Sequence, residues 1–145
     1  MMKIFKAEQW NIEVLLPLFE VYRKSYGMDE NPERTLVFLT NRMRFNESLF
    51  FIAMNEQEQA IGFIHLFPRL SSLQLQRYWQ LTDIFVLEQP QQSEIYAALI
   101  SKAKEFVHFT QSNRLVAELE EAQYAVLQSE GFKLNPKERL FELSL

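Results

Sequence analysis

DIFVLEQPQQSEIYAALISKAKEFV, residues 83–107, changes its periodicity halfway along. Asp83 to Leu87 is a short, mostly apolar run of strand type. Ile95, Ala98, Leu99, Lys102, Ala103, Phe106 and Val107 then recur at helical spacing. Between them lies a turn that feeds a helix start. Many α/β proteins hold a phosphate at such a place, because the first helix N–H groups lack partners and the dipole favours an anion. Yet no glycine occurs between Asp83 and Tyr96, and Glu94 stands where an anion would sit.

Working outward, RLVAEL (114–119) reads as a strand and EEAQYAVLQSE (120–130) as a helix that Gly131 ends. RLFELSL (139–145) reads as a final strand. Strand, helix, strand in sequence implies a right-handed crossover and locally parallel pairing. Upstream come three more strands, SLFFIAM (48–54), AIGFIHLFPRL (60–70) and QRYWQLTDIFVL (76–87). The short link NEQEQ (55–59) predicts a hairpin between the first two.

MKIFKA (2–7) makes a first strand. NIEVLLPLFEVYRKSYG (11–27) then shows a helical stripe of Ile12, Leu15, Leu16, Phe19, Tyr22 and Tyr26, capped by Asn11 and closed by Gly27. Pro17 inside it predicts a kink or a late helix start. NPERTLVFLTNRMRF (31–45) offers Asn31 as cap, Pro32 at the first helical position, and a stripe of Leu36, Leu39 and Met43. The order is β-α-α-β-β-β-α-β-α-β. One α/β domain over residues 1–145 follows, a mixed sheet with helices on both faces.

Composition narrows the chemistry. The chain has 145 residues, 48% of them hydrophobic, with thirteen Phe, which suits a packed globule. A net charge of -4 lacks the basic excess of nucleic-acid binders. Cysteine is absent, so disulfides, thiolate metal sites and a Cys nucleophile are excluded. The two His, His65 and His108, are far apart in sequence and argue against a His-based metal site. MMKIFKAEQWNIE lacks the apolar core of a signal peptide, and no apolar run approaches the roughly 20 residues needed to span a bilayer. A cytoplasmic protein is the expectation.

Element order and four motifs together resemble the GNAT superfamily of N-acetyltransferases, over almost the whole chain. One subgroup carries YR-x-x-YG in the first helix, here Tyr22 to Gly27. A GF-x-x-L-Y/F-P-x-x-SS strand and turn falls on Gly62 to Ser72. An L-x-D-L/I-FV strand falls on Leu81 to Val86, and a Gly-Phe pair after the last helix on Gly131-Phe132. The resemblance implies a sheet splayed in the middle and acetyl-CoA as acetyl donor. The backbone of Ile84, Phe85, Val86 and Leu87 would hold the pantetheine arm. The loop after that strand would hold the pyrophosphate. Aligned without gaps, its expected R-G-x-G-I/V-G falls on Gln91, Gln92, Ser93, Glu94, Ile95 and Tyr96. Only Ile95 is retained, so the loop reads as a degenerate cradle. Equally, Glu94 is an ordinary first-turn acid, with Ser93 as cap or Pro90 starting the helix a turn early.

The resemblance also implies a Tyr in the last helix that protonates the leaving thiolate, and an Asn after the fifth strand. Counting back from Gly131, Leu127 stands in the Tyr place, Gln128 in the adjoining Glu place and Glu120 in the Asn place. Tyr124, one turn earlier, either substitutes as the acid or is a core or rim aromatic. Acetyl transfer requires a neutral amine, so a carboxylate base is needed. Asp83 is either that base or the structural partner of an Arg or a backbone amide. His65 is either a base on the acceptor side or a surface or rim residue. Tyr22, Arg23 and Tyr26 either form an acceptor wall, with Arg23 favouring a substrate carboxylate, or pack the helix while Arg23 meets a neighbouring Glu.

Two functions are therefore expected. One is an N-acetyltransferase acting on a small amine. The other is a catalytically silent GNAT fold kept as a binding or assembly module, having lost acetyl-CoA. Neither calls for a metal, a nucleic acid or a membrane. Dimers are common in the family, and the final strand offers an edge for pairing with a second copy.

Overall fold

The computed structural model describes residues 2–135 together with 143 and 144. The final strand expected over residues 139–145 lies almost wholly outside these, and with it the edge proposed for dimer pairing. The elements are β1 (Lys3–Lys6), α1 (Ile12–Ser25), α2 (Pro32–Arg44), β2 (Leu49–Met54), β3 (Ala60–Ser71), β4 (Gln76–Val86), α3 (Gln92–Phe109), β5 (Leu115–Ala117) and α4 (Tyr124–Ser129). Short 3-10 turns at Gln9–Asn11 and Glu121–Gln123 precede α1 and α4.

The sheet has the order β1-β2-β3-β4-β5. Its first four strands form an antiparallel meander, and β5 joins β4 in parallel after the α3 crossover. Side chains alternate across each strand, and both faces are covered. Phe50, Ile52 and Phe63 pack with Leu15, Leu18, Phe19 and Leu39 of α1 and α2. Phe51, Ile64, Leu66 and Ile84 pack with Ile95, Leu99, Ile100 and Ala103 of α3. Burial on two faces explains why the middle strands read as nearly unbroken apolar runs. At Gly62 a Cβ would lie 3.1 Å from the Phe85 carbonyl oxygen and 3.2 Å from Val86 Cγ2. The missing side chain is what lets β3 and β4 sit this closely under α3.

Several local expectations are corrected. Asn11 does not cap α1; its Oδ1 accepts from the Glu8 N–H at 2.8 Å. The helix starts at Ile12 and carries Pro17 within it, so no late start occurs. On α2, Asn31 caps as expected, its Oδ1 accepting from the Arg34 N–H at 3.2 Å. The inward residues of that helix are Thr35 and Leu39, one turn of four apart, and Leu36 faces solvent. α3 begins at Gln92 with Gln91 as cap residue, so neither Ser93 nor Pro90 opens it. Gly131, at φ +95°, does end α4, and the Phe132 N–H reaches back to the Leu127 carbonyl at 3.0 Å. Among the described residues no helix is long and apolar enough to cross a membrane.

Candidate active site

β4 and β5 pair only from Trp79 opposite Leu115 to Leu81 opposite Ala117. Beyond that point β4 runs on to Val86 without β5, which is the expected splay. A bulge begins the divergence. Leu66 faces Leu81, but His65 faces Asp83, so Thr82 is an extra residue in β4. Its Oγ1 donates to the His65 carbonyl at 3.2 Å. The opening forms a cleft whose lining includes Tyr22, Tyr26, Thr82, Glu120, Tyr124 and Leu127.

On the α1 side of β4 the polar groups are locked to one another. The Tyr22 hydroxyl donates to Asp83 Oδ1 at 2.5 Å, and His65 Nδ1 lies 2.9 Å from Asp83 Oδ2. His65 Nε2 lies 2.7 Å from Ser48 Oγ. The imidazole lies flat on Phe50, ring centroids 4.0 Å apart and planes 7° from parallel. His65 is thus no surface or rim residue; it is 6% exposed. Burial opposes charge on Asp83, but hydrogen bonds from His65 and Tyr22 outweigh it and hold the carboxyl below the usual range. Burial first, and then Asp83, drive Tyr22 far above the ordinary phenol value. The phenol therefore stays protonated beside an ionised carboxylate.

Tyr26 meets Tyr22 edge to face at 5.3 Å and is raised above its ordinary value by burial, then by Glu120 and Asp83. Arg23 also lines the cleft, but its Nη1 donates to Glu20 Oε2 at 3.2 Å and to the Asp29 carbonyl at 2.9 Å. Tyr124 and Leu127 both enter the cleft lining from α4, and Leu127 is also packed into the α3-side core.

On the α3 side, glutamines lie over backbone carbonyls. Gln123 Nε2 donates to the Ile84 oxygen at 3.2 Å, and Gln92 Nε2 to the Val86 oxygen at 3.1 Å. The Leu87 N–H bonds back to the Ile61 carbonyl at 2.8 Å, which ends the strand. Glu94 is exposed in the first turn of α3, Ile95 is buried in the core, and Tyr96 packs against that core. Burial raises Tyr96 above its ordinary value, opposed by a hydrogen bond to the Val86 backbone. Phe85 points to the other face, against Tyr22 at 5.5 Å between ring centroids.

Asp83, Tyr22, Tyr26 and His65 are therefore brought together, and Tyr124 faces them across the cleft opening. Ser48 and Gln123 hydrogen-bond to His65 and to the Ile84 carbonyl, contacts that composition and motif reading did not single out. For Ser48 a signal existed. It precedes Phe50 by two in a strand whose hairpin register sets Phe50 opposite His65.

No protein-family model matches the chain. The chain is 83% identical over 144 residues, 99% of each sequence, to a protein of Haemophilus influenzae described as a probable acetyltransferase. It superposes at a TM-score of 0.91 on the crystal structure of a probable acetyltransferase, 31% identical, over 99% of this chain and 97% of that one. A predicted acetyltransferase of Clostridium acetobutylicum, solved with acetyl-CoA, shares the fold at a TM-score of 0.80 and 15% identity, over 99% and 96% of the two chains.

Proposed function

The chain belongs to the GNAT family of acetyltransferases, and from that premise we propose that it moves the acetyl group of acetyl-CoA to the nitrogen of a small, positively charged amine. The observation that carries this reading is an ionised Asp83 joined to Tyr22 where β4 parts from β5. An amine arrives as an ammonium and attacks only after losing a proton, so a base must sit beside the strand that holds the donor. Tyr22 offers its oxygen to the ammonium while its own proton is committed to Asp83. Glu120 and Asp83 are the charges felt by both phenols of the cleft wall, and both are negative. That favours a cation, which the rings of Tyr22 and Tyr26 also suit. Arg23, tied to Glu20, does not lead the reading toward a carboxylate substrate.

The residues present fit acetyl-CoA along β4. The carbonyls of Ile84 and Val86 are met by side-chain amides, which an amide-bearing ligand arm can replace. When bound, acetyl-CoA supplies the acetyl group as a reactive thioester. At the start of α3, Gln91, Gln92, Ser93, Glu94 and Tyr96 would surround its phosphates, with an acid and a ring where the family has glycines. We assign most of the grip to the β4 edge for that reason. Among the α4 residues of the cleft lining, Tyr124 is the one with a phenolic proton to give.

Calorimetry with acetyl-CoA, followed by mass detection of acetylated products from a panel of amines, tests the reading. Ligand at 100 times its dissociation constant should stabilise the fold by about 2.7 kcal/mol. No thermal shift at millimolar acetyl-CoA would reject the enzyme and leave a silent binding or assembly module on the same fold.

A further inference from the structure

Resting on that reading, we propose that Ser48 and His65 are positioning residues for the acceptor base, forming with Asp83 and Tyr22 one relay under α1 that ends in a second cavity. The four groups are joined by three consecutive contacts, Ser48 Oγ to His65 Nε2 at 2.7 Å, His65 Nδ1 to Asp83 Oδ2 at 2.9 Å, and Tyr22 to Asp83 Oδ1 at 2.5 Å. They come from four parts of the chain: the residue before β2, then β3, β4 and α1. At one end Tyr22 lines the acceptor cleft. At the other, Ser48 lines a separate cavity of about 440 Å³ beside Trp10, Met43, Asn46 and Leu49.

Donor and acceptor rules fix the direction of each bond for an ionised Asp83 and a neutral His65. A carboxylate only accepts, so His65 Nδ1 carries a hydrogen toward it, and Nε2 is left to accept from the Ser48 hydroxyl. Asp83 thus sets the tautomer, Ser48 anchors the other ring nitrogen, and His65 holds one carboxylate oxygen so that the other stays turned to Tyr22. This is the orienting logic of a serine–histidine–aspartate array with the polarity of use reversed. The reacting end is the carboxylate, and the serine is the buried anchor, 7% exposed.

The proton balance is simple. The acceptor ammonium gives a proton to the Tyr22 oxygen as the Tyr22 proton moves to Asp83 Oδ1. The amine becomes neutral, the phenol is unchanged in charge, and the carboxylate becomes a carboxylic acid. With His65 neutral the cluster carries one negative charge and can take that proton. The groups acting here are Asp83 and Thr82 from β4, Tyr22 and Tyr26 from α1, and Glu120 across the cleft, while β2 presents the uncharged ring of Phe50.

Three variants and one spectrum test the relay. Ser48→Ala and His65→Leu should lower kcat on an accepted amine roughly 10–100-fold, as loss of an orienting partner does, with acetyl-CoA affinity unchanged. His65→Asn, which restores a donor toward Asp83 without titrating, should recover most of kcat. Nitrogen-15 NMR of the ligand-free protein, with His108→Gln to assign the two histidines, should show His65 protonated at Nδ1 and bare at Nε2. An Nε2–H tautomer, no recovery of kcat in His65→Asn, or an acetyl adduct on Ser48 would each overturn the proposal. Because the spectrum needs neither substrate nor turnover, failure of the acetyltransferase reading is told apart from failure of the relay.

Discussion

Along β4, two stretches of the same strand are equipped in opposite ways. At Asp83 the side chains interlock, its two carboxylate oxygens meeting Tyr22 of α1 and His65 of β3, with Phe50 of β2 stacked on the imidazole. From Ile84 to Val86 the face toward the cleft works through its backbone, and the side chains over it are uncharged glutamines. A proton acceptor needs a particular group in a particular charge state, so its surroundings are specific. An extended ligand arm needs only carbonyl and amide groups whose present partners it can replace, and the backbone supplies those at nearly every residue. The first region should therefore be intolerant of substitution, and the second should respond weakly.

The strongest break of that comparison is Asp83→Asn. It should lower kcat/KM for an accepted amine by roughly 10²–10⁴, the usual worth of a positioned base, while calorimetry finds acetyl-CoA binding unaltered. Equal loss in both would mean that the two regions are one site.

Next comes Tyr22→Phe, which removes a hydrogen bond to a charged group worth about 1.5–3 kcal/mol. In a chain of this size the melting temperature at pH 7 should fall by roughly 3–12 °C. The pH dependence has a definite sign. Tyr22 is raised in the folded state, so its contribution is whole below the ordinary phenol value of 10.0 and drains away as pH climbs above it. Asp83 is lowered, so its contribution is present above the ordinary carboxylate value of 3.8 and is lost as pH falls below it. Thermal melts of the native protein should be flat between these limits and slope at both ends. The alkaline slope should shrink in Tyr22→Phe.

On the other region smaller changes are expected. Glu94→Gln should tighten acetyl-CoA about fivefold, the Boltzmann weight of two like charges some 4 Å apart in water. An unchanged affinity would place the phosphates elsewhere. Gln123→Ala, which bares the Ile84 carbonyl, should tighten the ligand by no more than roughly two- to threefold, the lower end of a net hydrogen bond.

The sequence shows the strands of the meander almost residue for residue, because short apolar runs and the NEQEQ link between two of them point the same way. It also shows Asp83, Tyr22 and Tyr26, carried by motifs whose spacing survives. His65 was ambiguous, since one histidine in an apolar strand has no local mark of burial. Its partners Asp83 and Ser48 are 18 and 17 residues away and meet it only through strand register. Gln123 on Ile84 spans 39 residues, with a parallel crossover between them. Contacts set by tertiary geometry leave no periodic trace. Helix faces suffer similarly: Leu36 satisfies the stripe of α2 yet faces solvent, and Thr35 joins the expected Leu39 inside.

The single surplus residue at Thr82 acts on β4 as an insertion acts on a reading frame. Ahead of it the odd-numbered Trp79 and Leu81 look toward α3; past it the even-numbered Ile84 and Val86 do. Asp83 owes its place beside His65 to that change of parity. Drawn into register instead of bulging out, Thr82 would turn the carboxylate into oil and an isoleucine into the acceptor's path.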